Sequence, residues 1–424
     1  MLGNLSMILR IFLRELKSQK LRMTLTILAI VWGTLSITIL LAFGDGLRNQ
    51  LMISKKGLGD GILLISGGQT EKAYKGLPIG RGIGLRMDVL DYIRQQMPEL
   101  KAVGGEFITW GQQVSFGSNS FNKKINGVTP EYEYMRSMYP RQGGRFINKL
   151  DMDRNRRVVF LGNELADELF GVPGSPACVD PIGKEIFISN VPFTVIGVMQ
   201  EKQQMGMYSG PDWDAAVMPI TTFKTMYTNY RYLNKVVVQL KDVNQSESVK
   251  DRLYEELGSK YQFDPTDRRA LYIWDVIHGT KVLNNSLIGM EVFFGIIGAL
   301  TLLVAGVGVA NIMYVAVRER TAEIGVKMAM GAKRIHVMTQ FILEALMIAG
   351  LGGTLGLAVS FGIVKAVNSI PRTSMAMQWL GEPRISMTIA LVTISVLAVI
   401  GLVSGFFPAR KAASVNPVES LRYE

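Results

Sequence analysis

Four long apolar stretches without a single charged side chain divide a chain that is otherwise of mixed character. They are Met23–Gly44, Val292–Val317, Ala345–Val364 and Met387–Ala409, running 22, 26, 20 and 23 residues. A helix needs about 20 apolar residues to cross the hydrocarbon core of a bilayer. Each stretch therefore predicts a membrane-spanning helix, the third extended by its flanks to 339–365. The first is too long for the core of a signal peptide, and Phe43-Gly44-Asp45-Gly46 is not a small-x-small cleavage site, so it reads as an uncleaved anchor. The expected architecture is a membrane protein of four transmembrane α-helices, with a large α+β extracytoplasmic domain at 45–291 inserted between helices 1 and 2.

The intervening 45–291 alternates strand-like and helix-like patterns. Gly61–Ser66, Arg157–Leu161, Glu185–Ser189, Phe193–Val198 and Lys235–Leu240 are short, β-branched and apolar, which predicts strands. Gly111–Val128 has the alternation and turn residues of hairpins. Met87–Gln96, stopping before Pro98, and Asn163–Phe170, closed by Gly171, predict helices, as does Ser246–Leu257. The domain is one body, or two with a boundary near Tyr139–Asp153. Polar, helix-compatible segments at Gly46–Lys56 and Ile277–Met290 would prolong spans one and two outward, although Gly279 weakens the second.

Charge then orients the spans. The formal net charge is +11, yet 45–291 holds 30 basic and 28 acidic residues. The excess sits at 1–22, 318–336 and 410–424, which together carry 13 basic and 5 acidic residues. Basic flanks mark the cytoplasmic side. Both termini and the 318–338 loop are thus expected inside, and 45–291 and 366–386 outside. This distribution argues against nucleic acid as a partner and for membrane lipid. Residues 1–22 carry an apolar stripe (Leu5, Ile8, Leu9, Phe12, Leu13, Leu16) that suits either a helix lying on the inner membrane surface or a cytoplasmic extension of span one.

Within the spans, Gly352 and Gly356 stand four apart, as do Gly401 and Gly405, a spacing that lets helices approach closely in lipid. Intramembrane polar residues are few. Glu344 begins span three, Glu291 borders span two and Asn311 lies inside it. Glu344 and Glu291, near span ends, are expected to reach headgroups or water, with a proton-coupling role as the sharper alternative. Catalytic machinery is not evident. Gly183-Lys184 is followed by Glu185 and does not make a nucleotide-binding Walker A loop. His278 and His336 fall on opposite sides of the membrane, which excludes a histidine metal site or a Ser-His-Asp triad built from both. Met205, Met207, Met375 and Met377 could be read as soft copper ligands, but among 23 methionines they are expected to pack, and no metal site is assigned. Cys178 stands alone, so no internal disulfide forms.

The segment between spans two and three is the most informative. Ala310-Asn-Ile-Met-Tyr-Val-Ala-Val-Arg-Glu-Arg-Thr-Ala-Glu-Ile-Gly-Val-Lys-Met-Ala-Met-Gly-Ala-Lys333 ends a span and carries a short amphipathic helix, Thr321–Met330, closed by Gly331. Together with Gln340-Phe-Ile-Leu-Glu344, the glycines of 350–356 and Pro408-Ala-Arg-Lys-Ala-Ala-Ser-Val-Asn-Pro-Val-Glu-Ser-Leu-Arg-Tyr-Glu424, it resembles the MacB/FtsX-type permeases of ABC transporters. Arg157–Gly162 and Phe193–Val198 resemble that family's periplasmic core domain. The resemblance implies a multi-pass protein of the bacterial inner membrane, paired with itself or with a paralogous permease. A separate cytoplasmic ABC ATPase in two copies would bind ATP and Mg, leaving this chain without a cofactor or enzymatic activity of its own. Glu319, Arg320, Thr321, Glu323, Ile324, Lys327 and Met328 would couple to that ATPase, the Thr321–Met330 helix seating in it, with Glu323, Ile324, Lys327 and Met328 as the leading candidates for the contact. The implied function is mechanotransmission: ATP-driven motion passed to the outer domain for export of a small molecule or peptide, with a periplasmic adaptor and outer-membrane channel as further partners. Regulation of an extracytoplasmic hydrolase or sensor, and release of lipoproteins, are the alternatives.

Overall fold

The computed structural model describes residues 20–175, 178–371 and 381–415. The N-terminal stripe, Met375, Met377 and the end of the C-terminal signature lie outside the described residues. The chain divides into two compact units, one of Met1–Gln50 with Asn285–Glu424 and one of Leu51–Asn284.

In chain order the helices are α1 (Lys20–Lys56), α2 (Asp88–Gln96), α3 (Tyr132–Met135), α4 (Lys149–Asp153), α5 (Asn163–Phe170), α6 (Ile220–Met226), α7 (Ser246–Tyr261), α8 (Val276–Glu319), α9 (Thr321–Ala329), α10 (Arg334–Asn368) and α11 (Met387–Ala413). The strands are β1 (Ile62–Gly67), β2 (Leu100–Phe116), β3 (Asn119–Val128), β4 (Val158–Leu161), β5 (Glu185–Ile188), β6 (Val191–Val198), β7 (Ala215–Pro219), β8 (Lys235–Leu240) and β9 (Leu271–Asp275).

The four apolar stretches form the membrane unit, each inside a longer helix: α1, α8, α10 and α11 are long and apolar enough to cross a bilayer. α1 runs on through Gly46–Lys56, and α8 passes through Gly279 without a break. The unit's core is built from regularly spaced positions. Met23, Ile30 and Ile37, seven apart on α1, join Leu302, Ala305 and Val309 of α8, Phe341, Ala345 and Ile348 of α10, and Leu397 of α11 in one buried cluster. Outward-facing Leu25, Leu28, Trp32, Leu300 and Val304 stay exposed, as side chains bathed in lipid do. Ser386 caps α11, its hydroxyl accepting from Ile389 N at 3.2 Å.

In the outer unit the nine strands form one sheet in the order β3-β7-β4-β6-β5-β2-β8-β1-β9, with β3 also paired to β2. Val114 of β2 is opposite Phe121 of β3 on one side and Ile188 of β5 on the other, so β2-β3-β7-β4-β6-β5 closes on itself. β8, β1 and β9 extend from the first half of β2 as an open wing. Strands before and after Tyr139–Asp153 lie in the same sheet, and the closed and open lobes share β2 rather than meeting at that segment. α1 leads into β1, and β9 leads into α8. Leu63 of β1 faces Asp275 of β9 across the antiparallel ladder.

Candidate functional site

The 318–333 turn is shaped by its own sequence. α8 ends at Glu319, and Arg320 (φ −104°) breaks the helix before α9 begins. Thr321 accordingly turns its hydroxyl back to donate to the carbonyls of Val317 and Arg318 at 3.0 and 2.9 Å. Gly331, at φ +96°, adopts the left-handed conformation that closes α9, with its N–H on Met328 O and Ala332 N on Lys327 O. The chain is thereby reversed into α10.

α9 is docked on the bundle by apolar contact and by one polar network. Ile324 is 4% exposed and belongs to the same cluster as Val337 and Phe341 of α10. This corrects one sequence expectation: Ile324 packs inward and is not available to a partner protein. The exposed side of α9 and its end carries Glu323, Val326 and Met330, of which Val326 and Met330 were not anticipated. Lys327 and Met328 are half-buried.

Glu344 corrects a second expectation. It does not reach headgroups or water; it is buried at 1% exposure. A lone carboxylate in an apolar bundle is costly, and partners surround it here. Arg320 Nη1 stands 3.3 and 3.5 Å from its two oxygens, and Gln340 Nε2, one helical turn earlier, donates to Oε1 at 3.1 Å. Lys327 Nζ in turn approaches Gln340 Oε1 at 3.4 Å. Lys327, Gln340, Glu344 and Arg320 thus link α9 to α10. The Gln340–Glu344 bond is the shortest of these contacts. Glu319 pairs with Arg22 at 3.8 Å and Glu291 with Arg48 at 3.5 Å. Asn311 sits on an exposed face of α8, apart from this network. Gln340 is the member that sequence reading missed; its i, i+4 relation to Glu344 was the available signal.

The four glycines mark close helix contacts. A Cβ on Gly352 would stand 2.7 Å from Ile30 Cβ, and one on Gly356 would stand 2.6 Å from Thr34 Cβ, both on α1. On Gly401 and Gly405 of α11 it would meet Ala349 at 3.1 Å and Ala345 at 2.6 Å, both on α10. Among the described residues no cluster of three or more His, Cys, Asp or Glu stands ready for a metal ion.

A family model for a MacB-like periplasmic core domain matches residues 23–255, and one for an FtsX-like permease C-terminal region matches 295–417. The chain is similar to the macrolide export ATP-binding/permease protein MacB of Bdellovibrio bacteriovorus, at 29% identity over 412 residues, covering 97% of this chain and 61% of that protein. It is likewise similar to the pyoverdine export ATP-binding/permease protein PvdT of Pseudomonas aeruginosa, at 30% identity, covering 95% and 56%. The chain spans about three fifths of the length of the curated relatives it matches. Among solved structures, the periplasmic region of MacB from Actinobacillus actinomycetemcomitans superimposes with a TM-score of 0.42 at 19% identity, covering 54% of this chain and 95% of that one.

Proposed function

The chain belongs to the MacB/FtsX-type permeases of ABC transporters, and from that premise we propose that it converts ATP hydrolysis by a separate cytoplasmic ATPase into movement of its outer unit. The proposed work is export of a small molecule or peptide that already lies outside the cytoplasmic membrane. Relatives named for macrolide and pyoverdine export support that choice of cargo over the alternatives. In this reading both termini and α9 face the cytoplasm, and 45–291 faces outward. Two permeases and two ATPase subunits make the machine.

The observation that carries the proposal is the tethered α9. A short helix with an open face of Glu323, Val326 and Met330, held to α10 through an extended polar network, is suited to receive a push and pass it on. α1 and α8, unbroken over 37 and 44 residues, supply rigid elements for transmission. None of these steps requires a substrate tunnel through the lipid.

The test is co-purification from membranes with the ATPase, comparing the unaltered chain with Glu323→Lys. Loss of the ATPase, or of its stimulation, is expected in the variant. Undiminished pairing and ATP-dependent activity would overturn the assignment of α9. Orientation has its own check in a Cys178→Ser background: a membrane-impermeant thiol reagent should modify Asn119→Cys from outside, and failure to do so would reverse the topology.

A further inference from the structure

α1 leaves its last turn through Gly57-Leu58-Gly59-Asp60-Gly61 and enters β1 at Ile62. Three glycines in five residues would ordinarily make a loose joint, since glycine loses the most freedom on ordering. Here the joint is clamped. The carbonyl of Ser54 accepts Met205 N at 2.7 Å, that of Lys56 accepts the Ser137 hydroxyl at 3.3 Å, and that of Leu58 accepts the Arg136 guanidinium. The approach is so close that a Cβ on Gly57 would lie 1.9 Å from the carbonyl oxygen of Gln203.

Arg136 is the centre of the clamp and is 2% exposed. Its other nitrogen forks onto both oxygens of Asp212 at 2.9 and 3.0 Å. Lys202 closes the ring, donating to Asp212 Oδ2 at 2.8 Å and to the Arg136 carbonyl at 2.7 Å. The guanidinium lies 4.8 Å from the centre of the Tyr208 ring, and Tyr208 donates to Glu106 of β2 at 2.6 Å. Glu106 also accepts from Asn126 of β3 at 2.8 Å. A continuous line of buried and half-buried contacts therefore joins the end of α1 to β2 and β3. Burial opposes ionisation of Asp212, yet Arg136 and then Lys202 outweigh it and hold the carboxyl well below the usual range. Buried ion pairs are a poor route to stability compared with apolar packing, and their better-attested use is to fix one arrangement.

We propose that Arg136 is the positioning residue that locks the outer end of α1 to β2 and β3, so that displacement of the helix moves the sheet and the 200–214 loop instead of being absorbed in the glycine joint. The inference rests on the force-transmitting reading above and names the joint through which the force passes. Lysine cannot replace arginine here: a single ammonium does not reach Leu58 O while forking onto both oxygens of Asp212.

The experiment is amide hydrogen exchange on the complete complex with its co-purified ATPase in lipid, comparing a non-hydrolysable ATP analogue with ADP. It is run on the unaltered chain, on Arg136→Lys, which keeps the buried charge, and on Arg136→Met with Asp212→Asn, which removes both charges and leaves Lys202 an acceptor. In the unaltered chain, nucleotide should change exchange in Thr321–Ala329, at 57–62 and at 200–214. In both variants the change at Thr321–Ala329 should persist, and that at 200–214 should fall about tenfold. A nucleotide response at 200–214 that survives in the variants would overturn the role of Arg136. A nucleotide response missing from Thr321–Ala329 in the unaltered chain would overturn the proposed function and this inference with it.

Discussion

The two units of this chain bury charge in opposite ways. In the outer unit Arg136 and Asp212 are both almost wholly buried and meet through a short two-pronged contact, with Lys202 as a third member. In the membrane unit Glu344 is as deeply buried, but Arg320 is partly exposed, and its contacting nitrogen, which like that of Arg136 faces both carboxylate oxygens, stands farther off at 3.3 and 3.5 Å. The membrane helices are otherwise held by an apolar cluster and close glycine contacts, the outer unit by strand ladders and its own apolar clusters. The outer pair is short and closed off on both sides, and the membrane-unit pair is longer and partly open on the Arg320 side. The difference teaches that burial of a carboxylate alone does not say which task it serves; the geometry of its partner does.

The sharpest way to break this comparison is to remove one partner from each pair. Arg136→Met alone should destabilise the outer unit by about 3–5 kcal/mol, because it takes from buried Asp212 the counter-charge that faces both its oxygens and leaves Leu58 O without its donor. Arg320→Gln should cost the membrane unit less, about 1–3 kcal/mol, since Gln340 still bonds Glu344. Denaturant titrations of the full chain, followed by exchange in each unit, measure both. Equal losses would erase the distinction. Gly356→Val asks whether packing or charge dominates the membrane unit. With Thr34 and the Val31 carbonyl so near, it should cost about 1–3 kcal/mol by overpacking. Gly362→Ala, with nothing within 4 Å, should stay within about 0.5 kcal/mol of the unaltered chain in the same melt.

The smallest effect expected concerns pH. Burial raises the Glu106 carboxyl above its ordinary 4.5, against Arg136. A group whose folded value is raised contributes stability that is complete below the unfolded value and is lost as pH rises through the folded one. Glu106→Gln should therefore flatten the fall in outer-unit stability on going upward from about pH 4.5, as read by melts across that range. An unchanged slope would mean that burial does not raise the Glu106 carboxyl.

Much of this was legible from local pattern. Lys235–Leu240 and Asn163–Phe170 occur as predicted, and the four spans needed only hydropathy and length. The start of β2 was not legible, because Gly104 and Gly105 interrupt it. They are tolerated since side chains from Met135, Thr129 and Leu90 fill the space a Cβ would take. β7 and β9 were missed as well. Each is five residues long, too short for period-two alternation to stand out. At the site, the 318–333 segment announced itself through its charges and Gly331, yet the inward turn of Ile324 and the burial of Glu344 depend on α10, which local periodicity does not place. The Arg136–Asp212 fork joins positions 76 apart, and nothing in either neighbourhood points to the other.

The facing of Leu63 and Asp275 has a consequence for how such a molecule could be altered. Soon after the chain leaves α1 and just before it enters α8, Leu63 and Asp275 stand on opposite rungs of a single ladder, about 4.5–5.5 Å apart. A module whose two ends close on each other can be exchanged for another of the same footprint without lengthening or re-aiming the helices that carry it. The membrane portion is in that sense a socket, and heads of different shape could be grafted onto it so long as they end in two neighbouring antiparallel strands.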